Sequence, residues 1–460
     1  MRQHMVFNLF LMDTPSHLFP GTWRHPDARI VQYNDLDLWV DLAKLAERGK
    51  LDAIFLADAF GLHEEQNGSW DGLIRNAVMF PTADPNMLVS AMAAATENLG
   101  FIVTNSVLQH HPFQFARAAS TLDHLTKGRF AWNIVTTASS HASRSMGLEA
   151  MTDHDERYRW AEEYIDVVYK LWEGSWEDGA VVCDYERNIY TDPAKVHKIN
   201  HSGTRYSVEG PHLAEPSPQR TPVLFQAGSS PAGSAFAARH AEGIFMLSGS
   251  VEASGKRIRE TRAAAVAAGR RAEDLQFVEG MSFVVGSTEE EALRKEADIE
   301  GYLSLEAEAI MRGSATGLDL LKLSPDTPLA DIIEDAPGGR GTIQMVIDSV
   351  KNRVATVRDM FAFSSRQWRA VGTPEMIADR IQEYQAAGVD GINVAYTVFP
   401  SSYIDFVDHV VPELQRRGIM QKEYSPGTLR EKLFPGNGPF LADRHPARRY
   451  HRAMASGPGM

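Results

Sequence analysis

Polar and ionisable residues close short apolar runs at several places in this 460-residue chain. Asp58 follows Ala53-Ile54-Phe55-Leu56-Ala57, Thr104-Asn105 follow Phe101-Ile102-Val103, and Thr136-Thr137 follow Ile134-Val135. A carboxylate placed so orients a ligand or caps the next segment. Hydroxyl and amide groups suit a heteroatom-rich cofactor better than a hard metal ion. His154 and Tyr158 are four apart in DHDERYRW, so one helix face carries both near a helix start, where free N–H groups favour an anion such as phosphate. Ala227-Gly228-Ser229-Ser230-Pro231 joins an apolar run to a helical one, and a tight turn there offers backbone N–H groups and two hydroxyls, a credible phosphate seat. Each group also has a plain structural use as cap, turn or surface network.

Other chemistries find little support. Among 16 histidines, His110-His111 are adjacent rather than i,i+4, and His63-Glu64-Glu65 lacks the second histidine of HExxH, so no metal site is expected. GxSxG and Walker motifs are absent, and no GxGxxG follows the first strand. The one cysteine, Cys183, allows neither an intrachain disulfide nor a thiolate cluster and fits a reducing, cytoplasmic compartment. With 46 basic and 60 acidic residues the net charge is −14, which argues against a general nucleic-acid binder. The opening apolar run ends at Asp13, and no membrane-spanning stretch follows. It reads as an inner strand rather than a signal peptide.

The elements that must position these residues alternate. Apolar strands are predicted at 5–12, 53–57, 101–105, 130–136, 223–227, 244–248, 277–285 and 392–396, most of them followed by an amphipathic helix. Asp35 can cap the first helix, and Glu156 to Trp172 form a long one. Eight strands in this rhythm favour an α/β fold closed as a TIM (β/α)8 barrel over an open doubly wound sheet. Two excursions interrupt it, near 173–220 with one hairpin around Gly203 and near 287–370. Residues 1–420 are read as one domain, and 421–460 as a C-terminal extension that wraps the body or reaches another subunit.

FNLFLMDTPSH, ADAFG, HHPFQFARAASTLDHLTKGRFAWNIVTT, HDERYRWAEEYIDVVYKLWE and QAGSSPAG resemble the nitrilotriacetate and dibenzothiophene-sulfone monooxygenase branch of the bacterial-luciferase-like flavin monooxygenase superfamily. The resemblance runs from near residue 1 to about 440. It implies a barrel with long insertions, homodimeric or larger, that takes reduced FMN from a separate NAD(P)H:flavin reductase. With O2 it would oxygenate a small organic substrate through a flavin (hydro)peroxide. Carried onto this chain, it assigns FMN contacts to Asp58, Thr104, His154, Tyr158 and Ser229, with Ser230 beside them. His17 is the candidate for contact with the reacting group, with His63 and Gln109 similarly placed, while Asp123 and Arg129 are read as ties between helix and strand. The alternatives are a deazaflavin-dependent oxidoreductase on the same scaffold and a non-catalytic flavin-binding barrel.

Overall fold

Strands that are apolar on both faces must be covered on both, and a parallel barrel wrapped in helices does this. The computed structural model describes residues 4–66, 68–228, 230–336, 340–350, 352–366 and 368–451. Its barrel strands are Val6–Met12, Ala53–Ala57, Gly100–Ser106, Phe130–Val135, Val223–Gln226, Gly243–Met246, Gln276–Val285 and Gly391–Ala395. All neighbours are parallel and follow chain order, with Val6 opposite Gly391 and Gly243 opposite Gln276 completing the ring. The eight expected strands are therefore the barrel, and the open-sheet alternative falls.

Side chains alternate across each strand. Val6, Phe10, Phe55, Ile102, Phe225 and Phe245 point into the barrel and pack on one another. Leu9, Leu11, Ile54, Phe101 and Trp132 point outward against helical residues such as Trp39 and Tyr164. Polar pairs cross the interior as well. Asn8 donates to Asn393 at 2.8 Å, and Asn133 donates to the Thr104 hydroxyl at 2.9 Å.

The segment beyond residue 420 has a definite place. Leu429, Leu433 and Phe434 join the interior cluster at the N-terminal mouth, where a Cβ on Gly100 would lie 2.7 Å from Leu429. The Gln276 side-chain amide donates to the Leu433 carbonyl. The barrel is thus plugged at one end, and its C-terminal end is left to the loops.

The first excursion carries two small hairpins, Val181–Asp184 with Ile189–Thr191 and His201–Ser202 with Ser207–Val208. The second surrounds Gly203 as expected, while the first was not legible because its residues alternate poorly. The later excursion contains helices Glu289–Gly301, Leu305–Thr316, Arg340–Ser349 and Val357–Arg366. It has its own apolar core, built on Leu320, Leu329, Ile343, Val346 and Met360. It ends in a short strand, Arg369–Gly372, that pairs with the far half of the seventh barrel strand outside the ring. Asp123 accepts from the Gln219 amides at 3.0 and 2.7 Å. Arg129 donates to the Leu99 and Ala93 carbonyls.

Candidate functional site

A cavity of about 560 Å³ opens at the C-terminal end of the barrel. That lies within the range of roughly 300–1,000 Å³ usual for small-molecule sites. Asp58 and the loop Ala59–Glu64 form one wall, Ile134–Ser139 the second, and Gln226–Gly228 with Tyr158 the third. Met311, Ser314 and Ala315, from the insertion helix Leu305–Thr316, complete it.

Asp58 lies just past the second strand because the chain turns out of the sheet there. Its Oδ2 accepts from Gln109 Nε2 at 2.8 Å, and Gln109 Oε1 in turn accepts from the Ser106 amide at 2.5 Å. Thr137 donates to Ser106 Oγ at 2.6 Å and holds φ +41°. That left-handed backbone is costly for a β-branched residue and fixes the turn after the fourth strand. The loop wall is pinned too, since Ser139 Oγ donates to the Leu62 carbonyl and His141 Nδ1 accepts from the Leu62 amide.

The third wall is a turn between the fifth strand and the helix Pro231–His240. Ser230 caps that helix, its Oγ accepting from the Gly233 amide at 3.1 Å. The Tyr158 hydroxyl lies over this turn, so that a Cβ on Gly228 would be 2.5 Å from it and one on Gly233 2.6 Å. Tyr158 rises from the helix His154–Gly174, whose start therefore faces the start of Pro231–His240. His154 stands at its first turn, half exposed, with Nδ1 2.8 Å from Asp155 and its ring centroid 5.2 Å from that of Tyr158. Ser229 lies outside the described residues.

The structure thus brings Asp58 and Tyr158 to one cavity and seats Ser230 at its edge, with His154 alongside. Thr104 is buried inside the barrel against Asn133, below the lining. His63 lines the cavity, whereas His17 does not: it is buried against Phe10, ring centroids 5.0 Å apart, with Nδ1 unpartnered. Burial pulls the His17 imidazole down to about 3, so it is neutral at working pH.

Sequence reading missed Asp13. It follows the first strand, in the position that the register Met12 opposite Ala57 sets beside Asp58. Asp13 is 2% exposed with Oδ1 unpartnered. Burial first, then the Asp58 and Asp84 charges, push its carboxyl up to about 7. Burial raises Asp58 to about 6, partly offset by the Gln109 hydrogen bond. Such a raised carboxyl stabilises the fold fully below its unfolded pKa, near 3.8, and loses that contribution as pH rises through about 7. Asp13→Asn is therefore expected to gain stability over the parent at pH 8, with the gap shrinking by pH 5. Thermal unfolding at the two pH values checks this, and a pH-independent gap would show that Asp13 does not titrate there.

The family model described as luciferase-like monooxygenase matches residues 18–391. The chain belongs to this family. The long-chain alkane monooxygenase of Geobacillus thermodenitrificans (strain NG80-2) is 44% identical over 457 residues, covering 99% of this chain and all of its own. The dimethyl-sulfide monooxygenase of Hyphomicrobium sulfonivorans is 42% identical, covering 98% and 95%. The crystal structure of DmoA from the same organism superposes with a TM-score of 0.91 at 42% identity, covering 97% and 96%. Nitrilotriacetate monooxygenase component A is 35% identical and a dibenzothiophene-sulfone monooxygenase 33%. The branch assigned from sequence phrases is thereby corrected: the chain sides with the alkane and dimethyl-sulfide enzymes. The quoted phrases fall on barrel strands, on the ends of those strands and on the helices Pro112–Leu125 and His154–Gly174 that pack around them, and a resemblance in such framework segments marks the superfamily more than the branch. The chain is a flavin-dependent monooxygenase that acts with O2.

Proposed function

We propose that this monooxygenase takes reduced FMN from a separate NAD(P)H:flavin reductase and oxygenates a small, uncharged, largely apolar molecule of the alkane or dialkyl-sulfide class. The carrying observation is the cavity lining. Among its described residues there is no lysine or arginine, two carboxylates (Asp58 and Glu64) are present, and Phe60, Leu62, Ile134, Met311 and Ala315 supply apolar surface. A polycarboxylate brought there would lose its hydration and meet like charge, at a cost of several kcal/mol. An alkyl chain meets surface it can bury. The relatives named for alkanes and dimethyl sulfide point the same way.

The residues fit FMN. Two helix starts converge on a turn where Gly228 and Gly233, lacking a Cβ, leave room for the Tyr158 hydroxyl to lie against the backbone. In this reading Ser229, Ser230, Tyr158 and His154 hold the phosphate end, while Asp58, fixed by Gln109, orients the ring end. Thr104 supports Asp58's side of the barrel from beneath. Reduced FMN, when bound, supplies the electrons that activate O2. Met311 and Ala315 add apolar cover on the insertion side of the cavity, and the buried, neutral His17 stays outside its lining. A homodimer is part of the same proposal.

The test is oxygen uptake and product formation with a flavin reductase, NADH and FMN against dimethyl sulfide, n-alkanes of graded length and nitrilotriacetate. Turnover of neutral substrates, dependent on the reductase, is expected. Turnover of the polycarboxylate alone would overturn the substrate class.

A further inference from the structure

The phosphate seat described above is chemically incomplete. Ser230 and Tyr158 are neutral donors, and His154, whose Nδ1 meets the Asp155 carboxylate, offers only Nε2. A phosphate dianion in a partly dry site needs a cation, because neutral hydrogen bonds return only part of the hydration it gives up.

Arg257 stands where that cation is needed. It lies on the helix Val251–Ala267, after the sixth strand, and its Nη2 donates to the Gly228 carbonyl at 3.0 Å. It thus reaches the same Gly228 that the Tyr158 hydroxyl lies against. Among the described residues no carboxylate comes within ion-pair distance of it. The nearest acid that acts on its charge is Glu279, and both Glu279 oxygens are engaged, with the Ser248 amide at 2.6 Å and Ser254 Oγ at 2.8 Å. Arg257 is half-buried, so a charged side chain is held at the turn, and among the described residues the Gly228 carbonyl is its one hydrogen-bond acceptor. Elsewhere in the molecule the buried guanidinium of Arg430 is matched by Glu242 at 2.8 Å.

We infer that Arg257 binds the phosphate of FMN, supplying the positive charge that the neutral donors of the Gly228–Gly233 turn lack. The inference rests on the FMN reading above and adds a residue to it. It also gives the enzyme a means to favour FMN over riboflavin, which is identical at the ring and ribityl chain and lacks only the phosphate.

The experiment is a four-way titration, with FMN and riboflavin each bound to the parent and to Arg257→Gln. The parent is expected to prefer FMN. Arg257→Gln is expected to lose about 10- to 100-fold in FMN affinity, the range of a charge-assisted hydrogen bond. Riboflavin affinity should stay within about 3-fold, since the lost group never meets it. Equal weakening of both flavins would mean that Arg257 only holds the loop, and an undiminished FMN preference would mean that the phosphate ignores it. Either result overturns the inference while leaving the FMN reading intact. A parent protein that binds riboflavin as well as FMN would overturn both. If Arg257→Gln does not fold, Arg257→Lys and competition by inorganic phosphate decide: phosphate should displace FMN but not riboflavin from the parent, and Arg257→Lys should keep part of the preference.

Discussion

Gly228→Val is expected to lower FMN affinity by roughly 100-fold or more while leaving the barrel folded. A Cβ at this position would lie 2.4 Å from Gln226 Nε2, 2.5 Å from Tyr158 Oη and 3.2 Å from the Gly233 backbone. The first two distances are shorter than any real Cβ contact, so something must move. Gln226 is buried, and the Tyr158 ring is held between His154 and Phe236, with centroids 5.2 and 5.9 Å away. Neither yields freely, and valine adds two methyl groups to the same space. The turn itself must shift, taking the N–H groups at the start of Pro231–His240 out of register with the phosphate. A displacement near 1 Å in a positioning element costs on the order of 100-fold. The turn is a loop at the barrel rim, so the stability loss should stay within the roughly 1–3 kcal/mol typical of overpacking. Titration with FMN and urea unfolding separate the two effects. Gly228→Ala in a Tyr158→Phe background should lose less than the two single changes predict together, because the hydroxyl that Cβ strikes is gone. Unchanged FMN affinity in Gly228→Val would remove this turn from the cofactor site.

Much of this arrangement was legible from the sequence, for a reason visible in the strands. Residues such as Ile54-Phe55-Leu56 and Phe101-Ile102-Val103 are apolar on both faces, and the first polar residue after each run marks the barrel's functional rim. Asp58 could be singled out that way, whereas His154 and Tyr158 stood out by their four-residue spacing at a helix start. Asp13 is equally a first polar residue, but only the register beside Asp58 gives it meaning. Arg257 was not legible because it sits two turns into a basic helix, KRIRETR, where any arginine looks solvated; only its hydrogen bond to Gly228 singles it out. The insertion residues Met311 and Ala315 reach the cavity through tertiary packing that no local pattern encodes. Branch specificity failed for a related reason. The most recognisable phrases lie in the barrel strands and the helices around them, while much of the cavity wall comes from loops and from the insertion helix Leu305–Thr316, whose periodicity is weaker.

The C-terminal plug leads to the largest expected loss of stability. Arg430 is 1% exposed beneath the barrel, with Nε and Nη2 each 2.8 Å from Glu242 and further donations to the Thr221 and Pro439 carbonyls at 3.0 and 2.7 Å. Burial opposes its charge, yet the facing Glu242 carboxylate more than offsets this and holds its pKa above the usual value. Arg430→Met keeps the apolar stem but strands Glu242, itself 6% exposed, without its counter-ion. Breaking one side of such a pair costs about 3–5 kcal/mol, more than the pair's net contribution. The cost should appear as a large drop in the urea midpoint, since this side chain joins the plug to the starts of the fifth and sixth strands. Glu242→Gln combined with Arg430→Met should recover part of it, because no unpaired charge then remains. The plug closes the mouth opposite the cavity, so folded Arg430→Met protein should bind FMN as the parent does. A loss of FMN affinity in proportion to the loss of stability would instead mean that the two ends of the barrel are coupled through its interior.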